Sequence, residues 1–112
     1  MDHIKLSIII PTLNSYGIIE ELIASLKKQV YEHWEVLFID GNSNVKHKNY
    51  LKAICLNDKR FNLVEEEKAR GIYSAMSSGM KKVNPKNWIL FMGSDDKLSD
   101  NYVIEKIINE LK

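Results

Sequence analysis

The feature that most constrains the fold is a series of short apolar runs, each followed by apolar residues at helical spacing. The first run, residues 6–10, is rich in isoleucine and stops at Pro11. A run without polar alternation predicts a strand covered on both faces, as in a parallel sheet. Parallel neighbours need a long crossover, usually a helix, and the apolar stripe over residues 18–26 supplies one. The pattern therefore predicts strands that alternate with helices.

The same alternation continues to the end of the chain. Further strands are predicted at residues 34–39, 61–64 and 88–92. Further helices are predicted at residues 45–56 and 71–83, and from Ser99 or Asp100, either of which would cap the last helix. The predicted inner face of the second helix consists of Val45, Tyr50, Leu51, Ile54 and Cys55.

These elements predict an α/β fold of Rossmann-like type, with a mostly parallel sheet of about four strands and helices on both faces. The chain has 112 residues, which is enough for one hydrophobic core and too few for a second domain beside it. We therefore predict that residues 1–112 form one domain.

Composition and missing motifs exclude several classes of function. The 16 basic and 15 acidic residues give a net charge of +1 without a basic run, so no nucleic-acid partner is expected. The lone Cys55 has no partner for a disulfide or a CxxC site. The positions of His3, His33 and His47 indicate no metal site, and each is predicted to be a surface residue. The glycine-rich dinucleotide and P-loop motifs and the serine-hydrolase elbow are absent from the sequence.

The N-terminal apolar stretch is too short for a signal peptide, and no run reaches the roughly 18 apolar residues of a membrane-spanning helix. We therefore expect a cytoplasmic protein. A peripheral contact with the inner face of the membrane and association into homo-oligomers both remain open.

Polar residues follow three of the predicted strands. Because right-handed crossovers bring the carboxyl ends of parallel strands to one edge, these residues are expected to converge on one crevice. They are Thr12 and Asn14 after the first strand, Asp40 and Ser43 after the second, and Ser94, Asp95 and Asp96 after the last.

Asp95 and Asp96 are the sharpest chemical signal in the chain. Two adjacent carboxylates repel each other unless a cation or a donor lies between them, and Mg²⁺ or Mn²⁺ suits such oxygen ligands. The alternative is a solvated loop whose aspartates cap the next helix.

The other strand ends also have two interpretations each. Asp40 suits hydrogen bonds from a base or ribose, but Asp-Gly-Asn-Ser is also turn chemistry. Residues 11–15 offer donors where a helix N-terminus favours anions, and capping would explain the same residue types. The Arg70 guanidinium, next to Gly71, could reach a diphosphate.

Four segments together resemble the N-terminal, nucleotide-sugar-binding half of family 2 inverting glycosyltransferases of the GT-A fold. They are residues 7–14, 34–43, 70–80 and 89–96, in the order and spacing of that family. Ser94-Asp95-Asp96 resembles the family's DXD-type motif, with Ser94 in place of its first aspartate. Ser74 stands where an aspartate is usual in the related bacterial enzymes of surface-polysaccharide synthesis.

The resemblance implies specific roles for these residues. Thr12 and Asp40 would contact the nucleobase, Arg70 would lie near the base or phosphates, and Asp95 would face the ribose. Asp96 would bind a Mg²⁺ or Mn²⁺ ion on the diphosphate. The nucleotide-sugar-binding set implied is Pro11, Thr12, Asn14, Asp40, Asn42, Ser43, Arg70, Gly71, Ser94 and Asp95, with Asp96 as the metal ligand.

The implied reaction moves a sugar from a nucleotide-diphospho-sugar to a hydroxyl of a glycan or lipid-linked acceptor, with inversion. No catalytic residue is assigned, because the family's general base and acceptor-binding part would lie beyond Lys112. The isolated chain is therefore expected to be inactive, as a fragment or a natural truncation. The alternatives are a nucleotide-sugar-binding module without turnover and a nucleotidyltransferase-like domain. A receiver domain is disfavoured, since it needs acidic residues after the first strand.

Overall fold

The structure is a computed structural model that describes residues 3–15 and 17–112. Four parallel strands form one sheet in the order β3-β2-β1-β4. The elements are β1 (Leu6–Thr12), α1 (Ile19–Lys27), β2 (Trp34–Asp40), α2 (Val45–Asn57), β3 (Phe61–Glu65), α3 (Ile72–Lys82), β4 (Trp88–Phe91) and α4 (Val103–Leu111). The predicted α/β fold and its four parallel strands are confirmed. In the described residues, no helix is long and apolar enough to cross a membrane.

Helices cover both faces of the sheet, three on one side and one on the other. Because side chains alternate along a strand, Ile8 and Ile10 of β1 pack into the core shared with α1, α2 and α4, whereas Ile9 packs on the opposite side against α3. Both faces of β1 and β2 are buried, as their unbroken apolar sequences predict.

The first strand continues past its predicted end at Pro11. Pro11 and Thr12 extend the parallel pairing with β2. The Ile9 carbonyl accepts a hydrogen bond from Met92 N–H on the β4 side, and backbone groups of alternate residues face the same neighbour. Pro11 therefore faces the β4 side beyond the last paired residue of that strand, where no ladder N–H is needed.

Two helix predictions also need correction. Val45 is 72% exposed at the start of α2, and the buried residues of that helix are His47 and Leu51. The last helix begins at Val103, and neither Ser99 nor Asp100 caps it. The Asp100 carboxylate instead accepts a hydrogen bond from the N–H of Tyr102, which forms a turn before the helix.

The fourth strand lies at the edge of the sheet and is only partly buried. Trp88 is 52% exposed, and Phe91 at the other end of the strand is also exposed. An apolar run alone does not distinguish an edge strand from a central one, so the sequence indicates the strand but not this exposure.

The close packing of α3 on the sheet depends on Gly79. A Cβ atom at this position would lie 2.7 Å from Cγ2 and 2.9 Å from Cδ1 of Ile9, a fully buried residue of the central strand. Overpacking of this kind costs about 1–3 kcal/mol, whereas glycine to alanine in a helix gains about 1 kcal/mol. We expect Gly79→Ala to lower the free energy of unfolding by about 1 kcal/mol, because the clash outweighs the helix propensity.

Urea denaturation measures this change, and Ser77→Ala, on an exposed position of the same helix, is the control. A Gly79→Ala protein as stable as the control would show that α3 does not need this close approach.

Candidate functional site

The carboxyl edge of the sheet opens into a pocket of about 440 Å³. The ends of β1, β2 and β4 and the segment that leads into α3 form its walls, and most of the lining is apolar. Six of the predicted binding residues line it: Pro11, Thr12, Arg70, Gly71, Ser94 and Asp95. The other five do not: Asn14, Asp40, Asn42, Ser43 and Asp96.

The segment before α3 approaches β2 closely at Gly41. The Gly41 N–H donates to the Thr12 carbonyl at 2.9 Å, and the N–H of Glu66 donates to the Asp40 carbonyl at 2.8 Å. A Cβ atom at Gly41 would lie 2.9 Å from the Cβ and 3.0 Å from the Cα of Ala69. Only glycine allows this approach, which forms one wall of the pocket.

Asp40 lies behind the pocket wall, fully buried on the α1 and α2 side of the sheet. Its Oδ1 accepts hydrogen bonds from the hydroxyls of Thr12 at 2.8 Å and Ser43 at 2.6 Å, and its Oδ2 accepts one from the N–H of Ser43 at 2.9 Å. A buried carboxylate is tolerated when donors satisfy it in this way. Thr12 lines the pocket and therefore links it to Asp40.

Asn14 and Ser43 join the loops that follow β1 and β2. The N–H of Asn14 donates to Ser43 Oγ, and Asn14 Oδ1 accepts from the N–H of Asn44, both at 2.8 Å. Asn42 is tied to α2 by the Lys48 ammonium, 2.6 Å from its side-chain oxygen. Asn14 and Asn42 have φ angles of 49° and 64°, which asparagine tolerates better than most residues. The prediction that Asn14, Asn42 and Ser43 bind ligand stays untested, and here they hold the two loops together.

His47 is a buried member of this network, and its prediction as a surface residue is wrong. Its Nε2 lies 3.2 Å from Ser15 Oγ and 3.9 Å from Asp40 Oδ1, while Nδ1 has no hydrogen-bond partner among the described residues. His3 and His33 are exposed, as predicted, and their rings stack 4.0 Å apart. The sequence signal for the burial of His47 was its spacing, because it lies four positions before Leu51 and on the same face of the helix.

The segment after β4 presents Asp95 and Asp96 to solvent. Asp96 Oδ2 accepts a hydrogen bond from the N–H of Gly93 at 2.7 Å, which holds the turn, and Asp95 lines the pocket. The alternative that these aspartates cap the next helix is wrong, because α4 begins seven residues after Asp96.

The described residues contain no group of three His, Cys, Asp or Glu side chains that could hold a metal ion alone. The exposed pair instead fits the usual Mg²⁺ site, in which one or two carboxylates are completed by substrate phosphates and water.

The N-terminus of α3 also faces the pocket. Gly71, its N-cap, has a φ of 92° and lines the pocket beside Arg70. The N–H of Ala75 donates to the Gly71 carbonyl at 3.2 Å, and the amides before it belong to the first turn of the helix, which has no intrahelical acceptors. A helix N-terminus beside a guanidinium favours an anionic ligand.

The buried state of His47 makes the stability of the fold depend on pH. Burial lowers the pKa of His47 below its usual 6.5, and the nearby Asp40 carboxylate opposes this only in part. Between the two pKa values the unfolded chain binds more protons, so the stabilisation is complete above about pH 6.5 and falls as the pH drops towards the folded pKa. We expect the free energy of unfolding to fall between pH 7.5 and 5.5, with a slope of no more than about 1.4 kcal/mol per pH unit.

Urea denaturation at both pH values measures this loss. His47→Gln is expected to reduce it, whereas His33→Gln, at an exposed histidine, is expected to leave it unchanged. Equal pH dependence in all three proteins would contradict the assignment to His47.

The chain matches the sequence family described as "Glycosyl transferase family 2" over residues 7–112. Among curated relatives, "UDP-Glc:alpha-D-GlcNAc-diphosphoundecaprenol beta-1,3-glucosyltransferase WfgD" of Escherichia coli is 33% identical over 96 residues, or 86% of this chain and 37% of that protein.

Two solved structures show the same fold. S. aureus TarS 1-349 in complex with UDP-GlcNAc has a TM-score of 0.82 and 24% identity, covering 95% of this chain and 30% of that chain. The mannosyltransferase PcManGT from Pyrobaculum calidifontis, in complex with GDP-Man and Mn²⁺, has a TM-score of 0.80 and 19% identity, covering 99% of this chain and 32% of that chain. The chain thus spans about a third of the length of these proteins. The family match covers every helix and strand of the described residues except Leu6, the first residue of β1, and the chain belongs to glycosyl transferase family 2.

Proposed function

We propose that the pocket binds the nucleoside diphosphate part of a nucleotide-sugar, and that the chain forms the donor site of a glycosyltransferase of cell-surface polysaccharide synthesis. The observation that carries this proposal is the meeting of three features at one pocket. These are Thr12, which bonds Asp40 behind the pocket wall, Arg70 at the amino end of α3, and the turn in which Ser94 and Asp95 line the pocket and Asp96 follows them.

The apolar part of the pocket suits the base of the nucleotide. Pro11 and Ala69 lie in its walls, where they would contact a planar ring, and Thr12 supplies a polar group in the same lining. The Thr12 hydroxyl donates to Asp40 and keeps its lone pairs, but Thr12 is only 4% exposed, so an N–H of the base would reach them only after the Thr12 side chain shifts. In this arrangement Asp40 would act on the base through Thr12, and a direct contact would require its bonds to Ser43 to change.

The polar side of the pocket suits the diphosphate. The Arg70 guanidinium can donate two parallel hydrogen bonds to phosphate oxygens, and the first-turn amides of α3 add donors. Asp95 and Asp96 would hold a Mg²⁺ or Mn²⁺ ion against the same phosphates, with Asp96 as the principal ligand. When bound, this ion would neutralise charge on the departing nucleoside diphosphate.

The reaction proposed is displacement at the sugar's anomeric carbon by an acceptor hydroxyl, with inversion. That step needs a general base on the acceptor, and we assign none of the described residues to this role. Nucleotide binding without efficient sugar transfer is therefore expected of the 112-residue chain alone. A glycan or lipid-linked acceptor and a cytoplasmic location remain part of the proposal.

Asp96 is expected to make nucleotide binding depend on the metal ion. Titration calorimetry with UDP and GDP should show that Mn²⁺ strengthens binding of the preferred nucleotide by about tenfold or more, or about 1.4 kcal/mol. Asp96→Asn should remove this difference, because a neutral amide is a weaker ligand than a carboxylate. Glu110→Gln, which removes one exposed charge on α4, should retain it. Absent or metal-independent binding by the unaltered chain would contradict the proposal.

Gly41 is expected to set the position of the pocket wall. Gly41→Ala would place a methyl group against the backbone of Ala69, so the segment that carries Arg70 must shift. Nucleotide affinity should fall by about tenfold, a loss of about 1.4 kcal/mol.

Calorimetry on folded protein, checked by circular dichroism, measures this effect. The double variant Gly41→Ala/Ala69→Gly removes the nearest atom of the clash and should recover part of the affinity. Full affinity in the single variant would show that this wall does not position the nucleotide.

A further inference from the structure

A series of buried polar side chains runs from the pocket wall to α2 and back to the loop after β1. It begins at Thr12, passes through Asp40 and His47, and ends at Ser15. Each of these side chains belongs to a residue that is at most 4% exposed. Thr12 and Ser15 flank the loop that follows β1, so the series ties that loop to the second helix.

The ring and the backbone of His47 contact different parts of the structure. Its Nε2 lies 3.2 Å from Ser15 Oγ and also faces Asp40 Oδ1 at 3.9 Å, a distance too long for a hydrogen bond. Its backbone is fixed separately, since its N–H donates to Asn44 Oδ1 at 3.0 Å. The backbone of His47 is therefore fixed near the start of α2, and its imidazole reaches the loop after β1.

The surroundings of the ring favour one protonation state. Nδ1 is buried without an acceptor among the described residues, so a proton there would be an unsatisfied buried donor. A proton on Nε2 instead points towards Ser15 Oγ and the negative Asp40. The uncharged ring with Nε2–H fits these contacts, whereas an imidazolium would add the unsatisfied Nδ1–H.

We propose that His47 is a positioning residue of the donor site, which holds Ser15 and so fixes Thr12 and Asp40 at the pocket wall. This inference rests on the proposed function, because it assigns His47 an effect on nucleotide binding. His47 does not line the pocket. Its effect on nucleotide binding would therefore act through Thr12, which lines the pocket, and through Asp40, which bonds Thr12. Without the Nε2 contact, the loop after β1 would keep its bonds to Ser43 and Asn44, and the Ser15 carbonyl would keep those from Ile18 and Ile19, but the loop would lose the link from the Ser15 hydroxyl to α2.

Four single variants and the double variant His47→Leu/Ser15→Ala test the proposal, with nucleotide affinity and melting temperature measured for each. His47→Leu removes the polar contact, and Ser15→Ala removes it from the other side. His47→Gln places an amide N–H near the position of Nε2. His33→Gln is the matched control at an exposed histidine.

Affinity is measured for UDP and GDP with Mn²⁺, well below each melting temperature. We expect His47→Leu and Ser15→Ala each to weaken nucleotide binding by about tenfold. The double variant should bind as tightly as either single variant, because both substitutions remove the same contact. His47→Gln should recover most of the affinity, and His33→Gln should bind like the unaltered chain. If His47→Leu does not fold, Ser15→Ala and His47→Gln carry the same comparison.

Two results would overturn the proposal, and they are distinguishable. If the unaltered chain binds nucleotide and Ser15→Ala and every folded His47 variant bind it equally well, with no change beyond a lower melting temperature, His47 has only a structural role. If the unaltered chain binds neither nucleotide, the proposed function fails and this inference fails with it.

Discussion

The pocket depends on the pairing of β1 and β2 up to their last residues, Thr12 and Asp40. At this final rung the backbone pairing is joined by a side-chain hydrogen bond, and Ser43 closes over the same carboxylate with two more. An unsatisfied buried carboxylate would cost several kcal/mol, so the three donors are a condition for this arrangement. Both loops consequently leave the sheet from a fixed point, and the pocket walls are built on that point.

The strand ends serve two different purposes because their side chains alternate between faces. At the end of β2, Ile39 and the following Gly41 line the pocket, whereas Asp40 between them points into the supporting network. On β1, Pro11 lies on the pocket side and Thr12 connects the two. A shift of one residue in register would exchange these faces and place the carboxylate in the pocket lining. The register of this pair is therefore part of the site as well as of the fold.

The elements and their order could be predicted from the sequence because hydrophobic periodicity is a local signal. The continuation of β1 through Pro11 to Thr12 could not, since the tolerance of a proline there depends on where the neighbouring β4 stops. The burial of His47 was missed for a related reason. A hydrophobic pattern does not include a polar residue on a buried face, and Ser15, the partner of His47, is 32 residues away in the sequence. The strand-end residues were found, but their division between pocket lining and support follows from register, which composition does not specify.

The contrast between Asp40 and the pair Asp95-Asp96 explains how one edge of the sheet can hold these three aspartates. Asp40 is buried and satisfied by protein donors, so it contributes shape and hydrogen bonding rather than a free charge. Asp95 and Asp96 stay in solvent, where water screens the repulsion between neighbouring charges. A protein cage for a cation would have to bury them, and that is costly without the cation. An exposed pair beside the Arg70 segment avoids this cost, because a nucleotide diphosphate can bring the remaining oxygen ligands with it. In the proposed complex the chain would thus supply carboxylates and the Arg70 guanidinium, and the cation and the diphosphate would complete the site.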